Sequence, residues 1–161
     1  PRERGVRAAV NERSTRRRGR RPVADGPAYA LQVAVIARLR ADTDLGAVVG
    51  PKIFDEPPPS QYADYPFVHL GRLDDEAVRI GCHTDDDILF TIECHTRPVA
   101  GRVEVLALAH AVRRALDDAP LTLSGHSLDW CDFLTQSVNQ SRDGATWTAV
   151  LAFEASVAAA V

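Results

Sequence analysis

The sequence predicts an α+β domain in which a mostly antiparallel β-sheet packs against two main α-helices. Apolar residues alternate with polar ones in 88–95 and 147–157, which indicates strands with one buried face. Asp143-Gly144, just before the second strand, is a hairpin signal and favours antiparallel pairing. Two further segments, 28–42 and 101–118, have apolar residues at helical spacing and need the sheet to cover their apolar stripes.

Composition places the chain among ordinary globular domains. It has 161 residues, of which 45% are hydrophobic and 25% charged, enough for one domain with a core. No apolar run approaches the roughly 18 residues that a membrane helix needs, and no signal-peptide-like stretch opens the chain. We therefore expect no transmembrane segment and no secretion by that route. The three cysteines are expected to be reduced and buried.

Charge divides the chain into two parts. Residues 1–22 contain nine basic and two acidic residues, a net charge of +7, which leaves −10 for the rest. We therefore predict an arginine-rich arm over 1–27, extended or disordered in isolation, and a single domain over 28–161. The arm is either a passive tail or a segment that contacts phosphates or an acidic partner. Its candidate contact residues are Arg13, Arg16, Arg17, Arg18, Arg20 and Arg21.

The first half of the domain alternates short elements with turns. The helix over 28–42 leads to one more short turn over 44–50, and a brief strand follows at Ile53-Phe54. The proline-rich segment 56–60 cannot be helix or inner strand and is predicted to be a rigid connector. A strand is expected again over 65–71.

The segment 73–87 is polar and acidic, and we interpret it as a solvated hairpin tip that could form an interface. Its carboxylates could also bind a hard cation, but the alternating acids and central glycine of a calcium loop are missing. The acidic residues of this hairpin are Asp74, Asp75, Glu76, Asp85, Asp86 and Asp87.

Cysteine and histidine occur as adjacent pairs, Cys82-His83 and Cys94-His95, with His126 and Cys131 further on. Zinc ligands are usually separated by two to five residues, and neighbours on a strand point to opposite faces, so the spacing disfavours zinc. The five histidines lie on unrelated predicted elements. No nucleophile elbow, phosphate loop or dinucleotide fingerprint is present, and we predict no enzyme site and no cofactor.

The second half of the domain carries most of the predicted core. After the helix over 101–118, strands are expected over 121–125, 127–134 and 135–140, and the last strand should lie at or next to the centre of the sheet. The predicted core residues are Leu31, Val35, Leu39, Phe67, Phe90, Ile92, Leu108, Val112, Leu116, Trp147, Leu151 and Phe153.

This order of elements resembles the tail-completion or tail terminator proteins of long-tailed phages and of phage-like gene transfer agents. The resemblance covers roughly residues 29–157. Residues 45–54 fit the pattern L..lvG.rIf, and residues 59–70 fit a proline followed further along by P.v.l, both typical of that family. Cys94-His95 departs from the family, whose members often have an aromatic residue there, and the arginine arm is not part of its pattern.

The resemblance implies a structural virion protein. Such a terminator would form a hexameric ring on the head-proximal end of the tail tube, in contact with the tube protein and the head-side connector. It would be assembled in the bacterial cytoplasm and could touch packaged DNA non-specifically, with no membrane partner. Two alternatives remain open: a nucleic-acid-binding module acting through the arm, and a small metal-dependent enzyme using Asp85, Asp86, Asp87, His83 or His95.

Overall fold

A five-stranded sheet with helices on one face forms the domain. The computed structural model describes residues 26–60, 63–81 and 83–159. The helices are α1 (Pro27–Ala41), α2 (Thr43–Val49) and α3 (Arg102–Leu116), and the strands are β1 (Ile53–Phe54), β2 (Phe67–Ile80), β3 (His83–Thr96), β4 (His126–Gln140) and β5 (Trp147–Ala159). The strand order is β1-β2-β3-β5-β4, with β1 parallel to β2 and every other neighbouring pair antiparallel. The predicted α+β class is confirmed.

Local signals in the sequence fix the helix ends. Proline occupies the first turn of α1, where its missing N–H would have no partner in any case. The Asp42 side chain accepts hydrogen bonds from the backbone N–H groups of Asp44 and Leu45 and so caps α2, a third helix where one short turn was expected. Gly101, with φ of 65°, precedes α3.

The core lies between the helices and one face of the sheet. The predicted apolar stripe of α3 is buried, and it packs on the apolar sides of β3 and β5. The Phe90 and Phe153 rings stack with centroids 5.4 Å apart, and Phe133 meets Phe153 edge-on at 5.6 Å. The position predicted for β5, next to the central strand β3, is confirmed.

Three predictions from the sequence are wrong in detail. The hairpin predicted over 73–87 is present, but it is mostly strand and not a tip, because β2 and β3 pair continuously from Leu73↔Phe90 to Ile80↔His83 and the chain turns around Gly81. Residues 121–125 are not a strand, although Leu121 and Leu123 are buried against the core. Trp147 is only half-buried, whereas the other eleven predicted core residues are buried.

No helix within the described residues is long and apolar enough to span a membrane.

Candidate functional site

The face of the sheet opposite the helices carries polar side chains and is called the outer face below. Along β3 the core-facing residues are fully buried, and the alternate residues point to the outer face because successive strand side chains alternate. The outer-face residues of β3 are Asp87, Leu89, Thr91, Glu93 and His95. Residues paired with them on β2 and β5 share that face.

Two histidines and a glutamate meet on the outer face and are called the histidine cluster. His69 on β2 pairs directly with Glu93 on β3, and His95 lies two residues beyond Glu93 on the same side. The two imidazole Nε2 atoms are 3.0 Å apart, and each lies 3.5 Å from Glu93 Oε2. These three residues could hold a metal ion, since their ligand atoms all lie within 4.8 Å of one another.

Hydrogen bonds on the far side of each ring hold the histidines in place. His69 Nδ1 donates to the carbonyl oxygen of Leu70 at 2.8 Å, and His95 Nδ1 lies 3.0 Å from Thr148 Oγ1 on β5. The Phe67 ring stacks on His95 with centroids 4.7 Å apart. Burial, together with the neighbouring His69, lowers the pKa of His95 from its usual value of 6.5 to about 4, so His95 is neutral at pH 7.

Gly71 makes room for the glutamate of this cluster. It lies where the pairing of β2 with β3 shifts, between Leu70 and Leu73. A Cβ at this position would come within 2.5 Å of Thr91 Oγ1 and 2.9 Å of Glu93 Oε1. Any other residue would therefore displace the Thr91 and Glu93 side chains.

The other end of the outer face is an acidic groove of about 450 Å³. Its charged lining comes from three adjacent strands, which bring together side chains distant in sequence. Arg72 forms an ion pair with Asp74 within it. The residues lining the acidic groove are Arg72, Asp74, Glu76, Val78, Asp87, Leu89 and Glu154.

The structure separates the six acidic residues that the sequence grouped. Asp74, Glu76 and Asp87 line the acidic groove, and Asp85 pairs with Val78 on that same face. Asp75 and Asp86 point to the opposite face, since Asp75 pairs with Ile88 of the core. Desolvation and the nearby Asp86 raise the pKa of Asp75.

Among the described residues, the cysteines considered for a zinc site do not meet a group of metal ligands. Cys94 and His95 point to opposite faces, as expected, with Cys94 fully buried in the core. Burial and the adjacent Glu93 raise the pKa of the Cys94 thiol, which keeps it protonated and a poor ligand. Cys131 is also a buried free thiol. Cys82 and the arm residues Arg13 to Arg21 lie outside the described residues. The side chain of His83 is not described either.

β4 forms a long open edge of the sheet. It has 15 residues, and among the described strands it pairs with β5 on one side only. Its register shifts twice, between Leu128 and Trp130 and between Phe133 and Thr135. Trp130 and Leu134 expose 37% and 48% of their surface.

Sequence reasoning missed the histidine cluster because it depends on cross-strand register. The hydrophobic alternation places Glu93 and His95 on one face of β3, which was a usable signal. The position of His69 beside them follows from the turn at Gly81 and the irregular pairing near Gly71, neither of which the sequence pattern specifies.

Comparisons with known proteins agree on one kind of protein. The sequence model of the family described as "Tail completion protein gp17" matches residues 33–158. A chain from a solved structure titled "Virion of native gene transfer agent (GTA) particle" is 33% identical, with a TM-score of 0.75. The match covers 83% of the present chain and 98% of that chain. No curated protein sequence matches.

Proposed function

The chain belongs to the tail completion protein gp17 family, and we propose that it is a tail terminator of a phage-like particle. In this role it caps the head-proximal end of the tail tube as a closed ring of six copies and joins the tube to the head-side connector. The match to the family over residues 33–158 carries the proposal, and the similarity to a chain of a gene transfer agent virion supports it. The role is structural and requires no catalytic group.

The open edge at β4 supports assembly with other chains. A long edge strand offers unpaired backbone N–H and C=O groups, and exposed apolar side chains add to its capacity to bind another chain. Trp130 and Leu134 supply such side chains here. In a ring, neighbouring copies use two different surfaces, so we propose that β4 meets a different surface of the next copy.

Replacing Leu134 with glutamate tests the edge. Leu134→Glu should leave the fold intact and break the ring, because a carboxylate would have to be buried in the contact. Val48→Glu is the matched control, since Val48 on α2 exposes 47% of its surface, close to the 48% of Leu134. The mass of concentrated protein, measured by light scattering after size exclusion, separates rings from monomers.

Each outcome bears on a different part of the proposal. Wild-type protein that forms only monomers or two-fold dimers, even when added to tail tubes, would contradict the terminator role. A Leu134→Glu variant that assembles as well as Val48→Glu would retain the ring and exclude β4 as its contact.

We further propose that the acidic groove receives the arginine arm, residues 1–27, of a neighbouring copy. The groove presents four carboxylates and one guanidinium, and the arm carries the opposite charge. Arginine can hold a carboxylate through two hydrogen bonds. The body over 28–161 acts as the structural unit in this arrangement, and its net negative charge disfavours DNA contacts outside the arm.

A further inference from the structure

We propose that the histidine cluster is a metal site in which His69 Nε2, His95 Nε2 and Glu93 Oε2 bind one divalent transition-metal ion, with Zn²⁺ as the best-fitting ion. This assignment is independent of the proposed role in the tail. Within the described residues, this is the group of histidine, cysteine and carboxylate side chains close enough together to hold an ion.

The spacing of the three ligand atoms fits a tetrahedral ion. Zn²⁺ binds histidine nitrogen and carboxylate oxygen at about 2.0–2.2 Å, which places neighbouring ligand atoms about 3.3 Å apart in a tetrahedron. The three separations here are 3.0 Å between the imidazoles and 3.5 Å from each to the carboxylate. Three protein ligands therefore form one face, and water takes the fourth position.

The hydrogen bonds around the cluster orient the ligands as a metal site requires. Leu70 O can only accept, so Nδ1 of His69 carries the proton and Nε2 of the neutral ring presents a lone pair. Thr148 Oγ1 can accept from His95 Nδ1 in the same way. Carbonyl and hydroxyl partners of this kind are what fix the tautomer of metal-bound histidine.

A cation explains why these atoms lie so close. With both Nδ1 atoms protonated, two nitrogen lone pairs and a carboxylate face one another within 3.5 Å, an arrangement that repels unless positive charge lies between them. A single proton shared by the imidazoles is the competing arrangement. If this is the only proton of His95, Thr148 donates to His95 Nδ1; if it is an additional proton, the pair is cationic and Glu93 is its counter-ion. Both forms predict no metal binding.

The surroundings keep the site accessible and selective. The side chains of His69, His95 and Glu93 are exposed by 7%, 17% and 30%, so the carboxylate side opens to solvent while the imidazoles are held in the fold. Two nitrogen ligands favour Zn²⁺, Co²⁺ or Ni²⁺ over Mg²⁺, which prefers oxygen.

Zinc titration of the full chain tests the proposal. Protein treated with a chelator and then dialysed is titrated with Zn²⁺ by calorimetry in excess Mg²⁺, and Co²⁺ absorption reports the coordination geometry. His69→Gln, His95→Gln and Glu93→Gln remove the ligands one at a time. His110→Gln and Glu154→Gln are controls, the first an exposed histidine on α3 and the second another carboxylate of the outer face.

We expect one Zn²⁺ per wild-type chain, with a rise in the thermal midpoint. Each ligand variant should bind at least about tenfold more weakly, and Thr148→Val about tenfold more weakly through loss of the hydroxyl that orients His95. The two controls should match wild type.

Two results would overturn the assignment. One is wild-type protein that binds no Zn²⁺ in the titration, which leaves the shared proton as the description of the cluster. The other is ligand variants that bind as tightly as the controls. Circular dichroism checks the fold of each variant, and the more exposed Glu93→Gln decides the result if a histidine variant unfolds.

Discussion

At the scale of single residues, the surroundings of His95 make the stability of the protein depend on pH. Its pKa in the folded protein is lowered to about 4 from 6.5, with His69 and Glu93 as its titratable neighbours. As the pH falls below about 6.5, the unfolded chain takes up this proton before the folded protein does. We therefore predict that His95 lowers stability as the pH falls from 6.5 to 4, and has no effect on its pH dependence above that window.

Urea midpoints measured with a chelator between pH 7 and pH 4 check this prediction. His95→Gln should show a shallower decline with falling pH than wild type, whereas His110→Gln should follow wild type. Equal slopes for wild type and His95→Gln would show that the imidazole titrates in the folded protein as it does in the unfolded chain.

Thr96 is a second residue whose surroundings allow a prediction. It is fully buried at the end of β3, and its hydroxyl has no hydrogen-bond partner among the residues that the structure describes. A buried hydroxyl without a partner costs about 1–3 kcal/mol. Thr96→Val keeps the shape and removes the cost, so it should raise the free energy of unfolding by about 1 kcal/mol.

The control for Thr96→Val is Thr122→Val, an exposed site where the change should stay within about 0.5 kcal/mol. Urea unfolding measures both variants. A lower midpoint for Thr96→Val than for wild type would mean that the hydroxyl is satisfied by water or by a rearranged backbone group.

At the scale of elements, the alternation pattern of β5 places two aromatic residues on the same face, but the structure buries them to different extents. Phe153 is fully buried between Phe90 and Phe133, and Phe153→Ala should cost about 3–5 kcal/mol. Trp147, at the start of the strand, is half-buried with Arg102 over its ring at 4.9 Å. Trp147→Ala should therefore cost clearly less, about 1–2 kcal/mol. Equal losses in urea unfolding would contradict this ranking.

The elements also show what a sequence pattern can predict. α3 and β5 were predictable because each has a regular apolar period. The arms of β2 and β3 were not, because Asp75 and Asp86 occupy positions on the core-facing side and so break the apolar alternation that signals a strand. These acidic stretches are strands because they pair with each other and because β3 continues beside β5, contacts that lie far apart in sequence.

At the scale of the whole molecule, the α+β class followed from two apolar helices and antiparallel hairpin signals, since few architectures bury both. The histidine cluster and the acidic groove arise on the face that the core does not use. Hydrophobic patterning specifies the buried face of a sheet and says little about which polar side chains meet on the other. The register of β2, β3 and β5 therefore determines which residues form the site.

The division of charge between arm and body leads to the last prediction. The core is built from residues 30–157, so deleting residues 1–22 should leave the unfolding free energy of the body within about 0.5 kcal/mol of wild type. Assembly of the proposed ring, in contrast, should weaken and lose most of its dependence on salt, because exposed ion pairs are individually weak and screened but add up over many copies.

Neutralising the acidic groove should also weaken assembly and reduce its dependence on salt, with the arm left unchanged. The variant combines Asp74→Asn, Glu76→Gln, Asp87→Asn and Glu154→Gln, and its control is Glu56→Gln with Asp118→Asn, exposed acids outside both the groove and β4. Light scattering between low and high salt measures assembly of each form. If the arm deletion removes the salt dependence and the groove variant does not, the arm binds elsewhere, with DNA as the remaining polyanion. If neither changes it, the arm has no electrostatic part in assembly.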